Sequence, residues 1–115
     1  MADAGTCVPL TDQTFQTVVL ESPQPVLVVF WAEWSGAWHL IAPAIEALAE
    51  AFRGQVTVGT LDVAEHPQTP SRYGIRTLPT LLFFQDGKVG DQLVGLVARA
   101  EITAKLQALT RPSEA

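Results

Sequence analysis

Ser35 and His39 stand four residues apart in Trp34-Ser35-Gly36-Ala37-Trp38-His39, a hydroxyl and an imidazole at the spacing that brings side chains onto one helix face. A serine nucleophile needs a base in contact and a third group to orient that base, and no acidic residue is obviously placed to orient His39. Ser35 therefore reads as a helix N-cap, its hydroxyl accepting from an early amide of the helix, and His39 as a solvent-exposed side chain. Cys7 is the one cysteine and cannot form an internal disulfide. Cys7, His39 and His66 lack metal-ligand spacing, and no phosphate-cradling glycine loop or paired-carboxylate motif stands out, so neither metal nor cofactor is expected.

The elements that hold this turn follow from periodicity. Val26 to Trp31 is continuously apolar and rich in β-branched residues, which suits a central strand covered on both faces. A helix starting near Ser35 and closing at Arg53-Gly54 carries an apolar stripe of Trp38, Ile41, Ile45, Leu48 and Phe52, which puts Trp38 in register with the core face. Pro43 falls inside this helix and should kink it. Ahead of the strand, Thr11-Asp12 can cap a first helix reaching Leu20, ended by Ser22-Pro23-Gln24-Pro25. Gln55 to Val63 reads as a second buried strand, followed by a short helix near Pro67 to Tyr73. Thr80 to Phe84 and Lys88 to Leu93 flank Gln85-Asp86-Gly87, a strong hairpin signal, and Ala98 to Leu109 is a final helix with Ile102, Leu106 and Leu109 on one face. With Cys7 to Pro9 as an edge strand, the order predicts a mixed sheet of four to five strands with helices on both faces.

At 115 residues, with 48% hydrophobic and 17% charged, the chain is expected to be a single domain, with loose ends at 1–6 and 111–115. A net charge of −5 with seven scattered basic residues argues against nucleic-acid partners and against an anionic membrane surface. No basic start followed by a long apolar stretch marks a secretory signal, and the apolar run at Val26 to Ala32 is far short of a membrane span. Cytoplasmic residence is the expectation, and a single cysteine agrees with a reducing compartment.

From about Leu10 to Leu109 the chain resembles the thioredoxin family. The resemblance rests on Val28-Val29-Phe30-Trp31-Ala32-Glu33-Trp34, Ile41-Ala42-Pro43, Tyr73-Gly74-Ile75-Arg76-Thr77-Leu78-Pro79-Thr80-Leu81, Asp86-Gly87-Lys88 and Val94-Gly95, in the family's order. It implies the α/β thioredoxin fold. The turn Trp34-Ser35-Gly36-Ala37-Trp38 is similar to the family's Trp-Cys-Gly-Pro-Cys with both cysteines replaced, by Ser35 and Trp38. Dithiol exchange needs a thiolate to attack and a second sulfur to resolve the mixed disulfide. The resemblance further places Val29 where active members carry a buried aspartate, and Thr60 where a lysine accompanies it. A buried carboxylate is costly unless paired, so valine is the better core residue once no cysteine needs a base. Trp38 reads as core filling, with a presented lid or anchor as its functional alternative.

The same resemblance implies a cis bond at Leu78-Pro79, with the backbone of Thr77 or Leu78 free to pair with an extended peptide. Together with Trp34, Gly36, Ala37, Ile75 and Val94-Gly95-Leu96 this outlines a shallow apolar groove. The family's general role is cell redox homeostasis. The expectation for this chain is a redox-inactive, monomeric binding or chaperone-like assembly module that holds a protein or an extended peptide. A second reading keeps it an enzyme of the disulfide-oxidoreductase type, with Ser35 assisting a glutathione-like thiol; a third gives Cys7 a residual redox role with an external thiol.

Overall fold

In the computed structural model, which describes residues 7–110, the chain runs β1 (Val8–Leu10), a π-helical turn (Gln16–Leu20), β2 (Val26–Trp31), α1 (Gly36–Ala51), β3 (Thr57–Asp62), α2 (Gln68–Arg72), β4 (Thr80–Gln85), β5 (Lys88–Val94) and α3 (Arg99–Thr110). The expected loose ends at 1–6 and 111–115 lie outside the described residues. The strands form one five-stranded sheet in the order β1-β3-β2-β4-β5. β1 and β2 run parallel to β3, while β4 is antiparallel to both β2 and β5. This is the mixed α/β sheet that the sequence pattern implies.

β2 shows why its whole run must be apolar. Successive side chains of a strand point to opposite faces, and both faces of β2 are covered. Leu27 and Val29 enter a core with Ile41, Ile45 and Leu48 of α1 and Ile102 and Leu106 of α3. Val26, Val28 and Phe30 enter a second core with Phe15 and Val19 of the first segment and Leu82 and Phe84 of β4. Each fully buried aliphatic or aromatic side chain contributes about 1.5–3 kcal/mol relative to exposure, so this strand alone anchors both layers. The β4–β5 hairpin turns on Asp86 at φ 54° and Gly87 at φ 78°, the pair of left-handed residues that a two-residue loop needs. Gly87 is required twice, because a Cβ there would stand 2.8 Å from the Leu20 carbonyl oxygen.

α1 runs unbroken through Pro43 and ends at Ala51; Gly54, at φ 85°, turns the chain just beyond. Gln55 lies in that turn, where its N–H donates to the Phe52 carbonyl, and Val63 follows the last residue of β3, so the strand is shorter at both ends than the apolar run suggests.

The largest departure from expectation is the first helix, which is a single π-helical turn instead of a helix from Thr11-Asp12 to Leu20. Thr11 does its share, its hydroxyl accepting from the Thr14 N–H at 3.0 Å. Asp12 is drawn elsewhere. Its carboxylate accepts from the Gln68 N–H at 3.2 Å, the Thr69 N–H at 2.8 Å and the Thr69 hydroxyl at 2.7 Å, so it caps α2, whose own N-cap residue Pro67 offers no side-chain acceptor. Burial pushes the Asp12 carboxyl up, but these three donors and the positive charge of His66 outweigh it and hold the group below the usual carboxylate range.

Candidate functional site

The turn between β2 and α1 meets the loop before β4 at a single hydroxyl. Ser35 is extended at ψ 111°, which is N-cap geometry, and its Oγ accepts from the Trp38 N–H at 3.1 Å. The same Oγ–H donates to the Leu78 carbonyl at 3.3 Å, across 43 residues of sequence. With 9% of its surface exposed, Ser35 is a latch between a helix terminus and the groove loop, its donor and one of its acceptor positions engaged. His39 does not activate it: the imidazole Nε2 is 2.8 Å from the Glu33 carbonyl, and the ring is exposed. No serine–histidine dyad forms.

Trp38 is half-buried and stacks on Trp31, with ring centroids 5.3 Å apart and planes inclined at 26°. It packs against the core that contains Val29, which is fully buried. Val29 pairs in register with Thr60 of β3, so the strand positions that the resemblance assigns to an acid and its partner face the same layer, beneath α1. Sequence reasoning passed over Trp31. Period-two alternation held the signal, since Leu27, Val29 and Trp31 share a face and that face lies under α1.

The Leu78–Pro79 peptide is cis, and the buried Pro79 accepts from the Gly95 N–H at 2.8 Å, which joins β5's end to the loop. The expectation of a free backbone here needs correction on the acceptor side. Leu78 O already receives the Ser35 hydroxyl, and Thr77 O receives the Thr80 hydroxyl, because both hydroxyls are buried and must find partners. The N–H groups of Thr77 and Leu78 meet no acceptor among the described residues. Around this loop the surface is apolar and open. Trp34 is 70% exposed, Leu96 58% and Val94 48%, while Ala37, Ile75, Leu78 and Gly95 are half-buried and Gly36 and Thr77 exposed. These exposed apolar side chains lie at one end of the sheet, where β2 and β5 finish and β4 begins.

Cys7 lies apart, half-buried against the α1/α3 core. Burial, with the negative charge of Glu46 adding to it, pushes its thiol up to about 11, so almost no thiolate exists at neutral pH. Among the described residues no group of three or more His, Cys, Asp or Glu is placed to hold a metal ion, and no helix is long and apolar enough to cross a membrane.

A family model described as Thioredoxin matches residues 6–108. A thioredoxin of Acidithiobacillus ferridurans is 43% identical over 97 residues, 84% of this chain and 90% of the relative. One from Chlorobaculum thiosulfatiphilum is 42% identical over 103 residues, covering 90% and 95%. Thioredoxin 2 of Chlorobaculum tepidum is 44% identical over 96 residues, covering 84% and 88%.

Proposed function

The chain belongs to the thioredoxin family, and from that premise we propose that it works without redox chemistry, as a monomeric binding module that holds a protein or an extended peptide in the groove between Trp34–Ala37, Ile75–Pro79 and Gly95. The observation that carries this reading is the state of Ser35. At the position where the resemblance expects an attacking sulfur, a hydroxyl caps α1 and ties Leu78. A serine hydroxyl has too high a pKa for a helix terminus to ionise it, and no base touches it. Trp38 supplies no sulfur to resolve a mixed disulfide, and Cys7 holds its proton. Apolar side chains beside the cis-proline loop, by contrast, stay exposed, Trp34 at 70%, Leu96 at 58% and Val94 at 48%, which supports a contact role. A cytoplasmic, chaperone-like or assembly role belongs to the same proposal.

Two measurements test it. Reduction of insulin disulfides by dithiothreitol should proceed at the uncatalysed rate with the protein present; acceleration that survives Cys7→Ser would refute the loss of redox chemistry, and acceleration that needs added glutathione would favour the thiol-assisted alternative. For the binding half, amide resonances are followed as an unfolded, cysteine-free polypeptide is added. Shifts should cluster at residues 34–37, 75–79 and 94–96, and shifts confined to α3 or to the β1 edge would sink the groove.

A further inference from the structure

Resting on the binding-module reading, we propose that the segment held in this groove carries a carboxylate beside its apolar residues, and that Arg76 receives it. Beside the cis-proline loop, the stretch between α2 and β4 and the C-terminal half of β5 enclose a shallow pocket lined by Tyr73, Ile75, Arg76, Thr77, Gln92 and Val94. Its walls are mixed: half-buried Tyr73 and Ile75 and the 48%-exposed Val94 stand beside the polar Thr77, Thr80 and Gln92. Arg76 is the only charged residue in the lining.

Among the described residues two cations are ion-paired, Arg53 2.6 Å from Glu50 and Lys105 2.6 Å from Asp91, while Arg72, Arg76, Lys88 and Arg99 have no carboxylate within salt-bridge distance. Arg76 is exposed and has no acidic partner among the described residues. A guanidinium offers a planar fork of donors that matches a carboxylate in two parallel hydrogen bonds. The exposed Gln92 side chain adds an amide donor from β5 on the opposite wall. The complementary ligand is an extended, mixed segment: apolar side chains against Trp34, Val94 and Leu96, and one aspartate or glutamate reaching Arg76.

Net charge makes the inference discriminating. The protein carries −5, so its overall field repels an acidic peptide. A preference for acid can then arise only from a local contact within a Debye length.

The probe is a set of labelled nonapeptides with a valine-leucine-valine centre and serine-glycine ends, in which one aspartate is moved through the positions flanking the centre; each has an asparagine and a lysine twin. Binding is read by fluorescence anisotropy and located by amide shifts. At one position the aspartate peptide should bind roughly tenfold tighter than its asparagine twin, with the lysine twin weakest, and Arg76→Gln should remove the aspartate advantage. The advantage should shrink when salt is raised from low to high. Equal binding of aspartate and asparagine peptides at every position, with groove amides shifting, would overturn the carboxylate proposal and leave the groove reading standing. An aspartate preference unchanged by Arg76→Gln would also overturn it, placing the charge contact elsewhere. Failure of every peptide to shift the groove amides would overturn both readings.

Discussion

Replacing Trp38 with alanine removes one half of the Trp31–Trp38 stack and opens the layer above Val29. A tryptophan buries up to ~150–250 Å²; a half-buried one covers roughly 100–150 Å², which at about 25 cal/mol per Å² is worth roughly 2.5–4 kcal/mol. Alanine retains a little of that area, while the lost stack adds about 0.5–1.5 kcal/mol beyond burial. The expected cost of Trp38→Ala is therefore about 2–4 kcal/mol, a large share of a domain's net stability. Trp34→Ala is the internal control: at 70% exposure its loss should change stability by no more than about 0.5 kcal/mol. Guanidinium unfolding followed by far-ultraviolet circular dichroism measures each variant without relying on tryptophan emission. A cycle of Trp31→Ala, Trp38→Ala and the double variant should give a coupling of about 0.5–1.5 kcal/mol. If Trp38→Ala costs no more than Trp34→Ala, or the coupling falls below about 0.3 kcal/mol, the indole is not packing and its role lies in contact with a partner.

Ser35→Ala removes both the cap of α1 and the donor to Leu78, and should lower stability by about 1–2 kcal/mol in the same denaturant assay; an unchanged midpoint would show that the latch carries no weight. Asp12→Asn should cost about 1 kcal/mol near neutral pH by weakening the cap of α2. Because the folded carboxyl lies below its unfolded value of about 3.9, the wild-type advantage should be constant above roughly pH 5 and vanish as pH falls through the folded value. An advantage that persists undiminished in acid would contradict the assigned cap.

Local pattern determined much of this protein. The apolar run of β2, the three-and-four spacing of Ile41, Ile45 and Leu48, and Asp86-Gly87 at the hairpin each name their element, because side-chain period and backbone handedness are properties of neighbouring residues. Ser35 could likewise be read as a cap, since N-cap preference is local. Tertiary structure decided what those residues then touch. Asp12 looks like the cap of its own helix, yet it caps α2, 56 and 57 residues away, because the amides at Gln68 and Thr69 lack any closer acceptor. Trp38 sits on a core stripe, yet it stops half-buried, because Trp31 at the end of β2 meets its face before the interior does. The Ser35 hydroxyl reaches Leu78 only because antiparallel pairing of β2 with β4 sets Phe30 opposite Thr80, bringing the two loops to the same end of the sheet. Contacts of this kind join residues distant in sequence, and their geometry is fixed by strand order and register and not by any local preference.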